Sequence, residues 1–206
     1  EKLQLDFDNV YFRKIEELTH LALSRCNDEF LVGYTDLHPG GDCAAAWRNP
    51  EELCMDLLDE PEECKKLFHK ANQEFVKVYD HFDSILKSNG QYSVTWMGIP
   101  SQGKMHIPSC DFATLISKEH FEEFCLPNIV EEVKSMDHNI FHLDGKGVAK
   151  NLDVLLEIPE INAIQFVQGV GEDRPLMQWS DDIHKIQSAG KSVILDIHLS
   201  ELAEVM

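Results

Sequence analysis

The run Phe141-His142-Leu143-Asp144-Gly145-Lys146-Gly147 carries the sharpest chemistry in the chain. On an extended segment residues i and i+2 face the same side, so His142 and Asp144 present an imidazole and a carboxylate to one point. Such a pair suits a hard or borderline cation such as zinc, or a proton-transfer couple. Two side chains do not complete a metal site, and Asp111, Asp36 and His198 are the candidates to finish it. A structural histidine hydrogen-bonded to its neighbour fits the same two residues. Gly145 and Gly147 could cradle a phosphate at the start of a following helix, and a plain turn accounts for them equally well. Cys110 could serve as a metal ligand or nucleophile, but the carboxylate of Asp111 beside it should raise the thiol pKa, which argues against nucleophilic activation.

Other polar residues gather at or just after apolar runs: Asp36 with His38, Cys110 with Asp111, Gln165 with Gln168, Asp196 with His198. The elements that must position them are legible as periodicities. Phe12, Ile15, Leu18, Leu21 and Ala22 predict a helix over Val10 to Cys26, and Glu29 to Thr35 reads as a buried strand leading into the loop Asp36 to Asp42. Pro50 and Pro61 are placed to start helices. Phe68, Ala71, Phe75, Val78, Phe82 and Ile85 predict one long amphipathic helix that stops near Ser88-Asn89-Gly90. A second strand is expected over Tyr92 to Met97, an extended piece over Met105 to Pro108, and a helix opening at Ser117 that Pro127 interrupts or kinks. Strands at 139–142, 163–167 and 192–197 then alternate with helices at 148–156, near 181–189 and from Ser200.

Apolar strands alternating with helices are the pattern of a parallel sheet covered on both faces. In that architecture the strand C-terminal ends share one side, so the polar clusters converge on one pocket. The residues expected to gather there are Asp111, Asp36 and His38 as candidates for catalysis, His142 and Asp144 for a metal or a proton-transfer pair, and Gly145, Gln165 and His198 for contact with a cofactor, with helix and turn capping as the alternative for each cluster.

Lys and Arg number 18 against 37 Asp and Glu among 206 residues, a net charge of −19. This field repels nucleic acid and anionic membrane and leaves a small molecule as the expected ligand. The longest apolar runs are strand-sized, no signal peptide opens the chain, and the six cysteines show neither a CxxC pair nor a disulfide spacing. A single cytoplasmic domain over residues 1–206, with reduced thiols, is the expectation.

The run Ser109 to Ser117, followed by Lys118 to Phe124 and Leu126-Pro127, resembles the segment of the uroporphyrinogen decarboxylase superfamily in which a strand-end aspartate precedes a Ser-x-x-x-Phe-x-x-Phe-x-x-Pro helix. The resemblance continues through His142 to Gly145, Leu152 to Leu156 and Ala163 to Gly169. It implies a (β/α)8 TIM barrel and one of two chemistries: cofactor-independent decarboxylation of uroporphyrinogen, or zinc-dependent methyl transfer between a corrinoid and a thiol. In the methyltransferases a His-x-Cys-Gly segment supplies two zinc ligands. His142, Asp144 and Gly145 occupy the matching positions, with carboxylate in place of thiolate, which makes a harder site. The further ligand cysteine of that branch would fall beyond Met206.

The decarboxylase substrate carries eight carboxylates, whereas this chain has only Arg13, Arg25, Arg48 and Arg174 as arginines. The expected function is therefore metal-assisted methyl transfer involving a corrinoid, which a corrinoid protein would carry, and a small acceptor, with zinc or another divalent metal as cofactor. Uroporphyrinogen decarboxylation in porphyrin biosynthesis and a non-catalytic corrinoid- or small-molecule-binding module are the alternatives. A closed barrel takes about 250 residues, so the chain is expected to be the central to C-terminal part of an incomplete barrel lacking terminal strands.

Overall fold

The computed structural model describes residues 3–169 and 175–205; Arg174 lies outside them. The chain is mixed α/β, with one four-stranded, wholly parallel sheet in the order β1-β2-β3-β4. The strands are β1 (Met105–His106), β2 (His138–Asp144), β3 (Ala163–Val167) and β4 (Ser192–Leu195). Five helices precede the sheet: α1 (Val10–Cys26), α2 (Gly40–Arg48), α3 (Pro50–Asp59), α4 (Pro61–Asn72) and α5 (Phe75–Ser88). Asn9 accepts from the Tyr11 N–H at the start of α1, and Asn49 accepts from the Glu51 N–H at the start of α3, where Pro50 occupies the first turn.

Every crossover between strands is helical. A 3₁₀ turn (Asp111–Leu115), α6 (Lys118–His120), a π turn (Phe121–Cys125) and α7 (Leu126–Lys134) join β1 to β2. The expected interruption at Pro127 takes the form of that widened turn: proline has no N–H to donate, and the helix continues around the gap. Two short helices, α8 (Gly145–Ala149) and α9 (Leu152–Leu156), replace the single helix expected over 148–156. A 3₁₀ turn (Leu176–Trp179) and α10 (Ser180–Ser188) lead to β4, after which a 3₁₀ turn (Leu199–Glu201) opens into α11 (Leu202–Val205). The long helix expected through Phe68 and Ile85 divides at Gln73-Glu74 into α4 and α5.

Two expected strands do not form. Residues 92–97 close on themselves instead, because Ser93 and Ser101 exchange backbone hydrogen bonds of 2.9 and 2.8 Å around a turn in which the Gly98 N–H donates to Thr95. Residues 29–35 are then left without a strand ladder. Val32 and Tyr34 still point into the core, and the Val32 N–H donates to the Gln91 side chain.

The principal core lies between the sheet and the helices α2, α3, α4 and α7. Phe141, Leu143, Ile164 and Phe166 come from the strands and meet Phe68, Phe112, Phe121 and Phe124. Each large side chain buried this way stabilises the fold by about 1.5–3 kcal/mol. A second core packs Val32, Tyr34 and Cys26 on Phe75, Tyr79, Phe82 and Leu86 of α5. Among the described residues, no helix is long and apolar enough to cross a membrane.

Candidate functional site

Register builds the site. In β2, Phe141 and Leu143 turn into the core, so His142 and Asp144 share the opposite face, as the i, i+2 rule requires. Parallel pairing sets His142 opposite Gln165 of β3. On the other side Ser109, just past β1, bridges to His142, whose N–H donates to the Pro108 carbonyl at 2.9 Å. Asp111 is two residues beyond Ser109, as Asp144 is two beyond His142, and it arrives at the same height. One ligand atom from each of Asp111, His142 and Asp144 lies within 4.8 Å of the others.

His142 is held in a ligand-ready form. Its Nδ1 is 2.6 Å from Gln165 Oε1, an oxygen that only accepts, so Nδ1 donates and Nε2 is the ring nitrogen not engaged by Gln165. The Trp96 ring stands edge-on to the imidazole, with centroids 5.5 Å apart. Partial burial first, then the nearby charges of Asp42 and Asp144, push the Asp111 carboxyl above its usual range, while His142 and His38 pull the other way. Three acidic groups in mutual repulsion are the arrangement a bound cation relieves.

Asp36 and His38 form a second cluster, and His38 lines the same cleft as Asp111 and Asp144. His38 Nε2 is 2.9 Å from Asp36 Oδ2, and His38 Nδ1 is 2.7 Å from Ser109 Oγ. Ser109 Oγ in turn donates to Asp42 Oδ2 at 3.2 Å, so it is free to accept from Nδ1–H. Donation from both ring nitrogens is the pattern an imidazolium would make. Its pKa is raised, chiefly by the hydrogen bond to Asp36 and against the effect of burial; the same bond lowers the pKa of Asp36. Asp42 also accepts the backbone N–H groups of Asp111 (3.1 Å) and Phe112 (2.9 Å), capping the 3₁₀ turn that presents Asp111. The two clusters are therefore joined through Asp42.

Between them opens a cleft of about 810 Å³, lined by His38, Asp42, Asp111 and Asp144 on its polar side and by Ala45, Pro50, Phe112 and Leu115 among its apolar residues. Cys43 lines it too, and burial with the Asp42 charge holds its thiol up to about 11, so it stays protonated at neutral pH. Cys110 is buried against Cys125, and that contact, then burial, raises its pKa well above the usual thiol value, which argues against a nucleophilic role.

The fold thus brings together Asp111, His142, Asp144, Asp36, His38 and Gln165. Asp36 pairs with His38 and does not join the ligand triad. Gln165 is committed to His142. Gly145 takes a left-handed φ of +68° and lies flush against Gly169, where a Cβ would meet the Gly169 Cα at 3.4 Å. His198 caps the 3₁₀ turn after β4, its Nδ1 accepting from the Ser200 N–H at 3.3 Å and lying 2.7 Å from Ser200 Oγ, and is not a member of the triad. Sequence reasoning missed Ser109 and Asp42 as the links between the clusters. Asp42 had a readable signal, a carboxylate in the first turn of a helix whose start is marked by Pro39-Gly40-Gly41. Comparison with protein-family models, with curated proteins and with solved structures finds no match to this chain.

Proposed function

We propose that the chain is a small-molecule enzyme built on an arc of a (β/α)8 barrel, which holds a divalent metal at Asp111, His142 and Asp144 and serves methyl transfer between a corrinoid and a small acceptor. The observation that carries the metal is the convergence of one nitrogen and two carboxylate donors within 4.8 Å at the C-terminal ends of adjacent parallel strands. Ligand sites of parallel α/β folds lie at these ends. The strictly sequential strand order, with no reversal, supports an arc of barrel over a doubly wound sheet. The methyl-transfer chemistry rests on the resemblance of 109–127 and 142–145 to the superfamily's methyltransferase branch.

The residues present fit a harder ion than a thiolate site would, since both anionic donors are carboxylates. Three protein ligands leave a position open to an exogenous molecule. A metal held by Asp111, His142 and Asp144 would supply Lewis acidity that favours the deprotonated form of an acceptor. His142 binds through Nε2 with Gln165 fixing its ring, and Asp42 holds the turn that carries Asp111. His38 keeps a proton on the Asp36 side of the cleft, and Ser109 and Asp42 offer it a route. Decarboxylation of a polycarboxylate draws less support, because among the described residues the cleft lining contains neither Arg nor Lys.

Calorimetric titration of metal-free protein with zinc, manganese and iron(II) salts tests the reading. One ion per chain is expected, lost in both His142→Ala and Asp144→Ala. Absence of binding, or binding untouched by either substitution, overturns it.

A further inference from the structure

Residues 31–39, which carry Asp36 and His38, have no strand ladder to register them. Their height over the cleft is set by side chains and by one close approach. A Cβ on Gly33 would stand 2.7 Å from the Val94 carbonyl oxygen, so the backbone passes flush against that segment. Next to it Tyr34 reaches inward, its Oη 2.9 Å from His106 Nδ1, and His106 Nε2 lies 2.6 Å from Glu132 Oε1. Tyr34, His106 and Glu132 are 7%, 0% and 3% exposed. With Glu132 accepting from the Nε2–H, Nδ1 is left to accept from the Tyr34 hydroxyl, so one protonation pattern satisfies each of these bonds; burial raises the Glu132 pKa and the His106 hydrogen bond opposes that rise.

The same two stretches of chain are therefore tied twice. The inner tie is Tyr34 to His106 and the outer is His38 to Ser109, with the inner one anchored on α7 through Glu132. Packing alone would be met by apolar side chains, and burial of a carboxyl group and an imidazole is costly unless their hydrogen bonds are maintained. We propose that Tyr34, His106 and Glu132 are positioning residues that hold the Asp36–His38 pair in hydrogen-bonding register with Ser109, acting through the backbone of residues 34–38. This rests on the reading of that pair as the proton-holding group of the cleft. The charged groups that face His38 are Asp36 on its own segment, Asp42 from α2, Asp111 from the 3₁₀ turn and Glu132 from α7.

Histidine C–H resonances of the full, metal-free chain, titrated by NMR and assigned through His38→Asn, provide the test. Tyr34→Phe removes one hydroxyl and no charge. In it the His38 midpoint should fall by about 0.5 unit or more, a roughly threefold loss in proton affinity, as Asp36 and Ser109 drift from the ring. Glu132→Gln should lower it as well. A Tyr34→Phe protein with a reduced melting temperature and a wild-type His38 midpoint overturns the proposal, since the relay is then structural only. Asp36→Asn separates the two readings: an unchanged midpoint there shows that Asp36 does not govern His38, and both readings fall. A drop in Asp36→Asn without one in Tyr34→Phe rejects the positioning role alone.

Discussion

Asp111 is more valuable to a ligand than to the fold. Its pKa is raised in the folded chain, so the folded state binds this proton more tightly than the unfolded state does. The carboxyl therefore costs nothing below the unfolded value of about 3.9, and the penalty grows as pH rises through the folded value. Asp111→Asn should make the metal-free protein more stable at pH 7, by about 0.5 kcal/mol since the group is half exposed and screened. The difference should shrink as pH is lowered towards the unfolded value, and divalent-ion binding should be lost at every pH. Thermal melts of both proteins across that range check it; an Asn variant less stable than wild type at pH 7 would show that the carboxylate serves the fold. Asp36 and His38 behave oppositely. Asp36 is lowered and His38 raised, so their mutual stabilisation is lost as pH falls through the Asp36 value and again as it rises through the His38 value.

At the scale of elements, the β2–β3 register is what turns two plausible residues into a candidate site. It sets Gln165 against His142, and an outer partner of this kind is worth about 10–100-fold in metal affinity. Gln165→Leu, close in volume but unable to accept, should cost that factor in calorimetric titration and leave the circular dichroism of the sheet unchanged. Equal affinity in the variant would mean that another group orients the imidazole. The same register explains what was legible beforehand. His142 and Asp144 could be read from their own spacing, and 139–142, 163–167 and 192–197 from compact apolar runs, because both depend on neighbours in sequence. Gln165 could be flagged only as a strand-end polar group, since its partner is set by pairing across 23 residues. Tyr34–His106–Glu132 was invisible for a related reason: a charged residue on an amphipathic helix looks solvated until the helix is docked, and Glu132 is on the docked face of α7. Residues 29–35 and 92–97 misled because β-branched and aromatic composition reports a half-buried extended chain, whether or not a ladder forms.

The whole molecule adds a field. A net charge of −19 on 206 residues concentrates cations at its surface, and the cleft focuses that effect through Asp42, Asp111 and Asp144. Screening length falls from about 30 Å at 0.01 M ionic strength to about 8 Å at 0.15 M. Only the nearest carboxylates then continue to act on a bound ion, and the distant ones, on α3 and α4 among others, drop out. Divalent-ion affinity should therefore weaken several-fold across this range, with the chelating triad keeping the remainder. A multiply carboxylated ligand such as a tetrapyrrole would respond with the reverse sign, binding better as salt screens the repulsion. Titrations of metal and of a polycarboxylate at both ionic strengths thus discriminate the metal-centred reading from the decarboxylase reading by direction alone. Tight low-salt binding of the polycarboxylate would require a cationic subsite, which the described residues of the cleft lining do not contain, and would overturn the metal-centred reading.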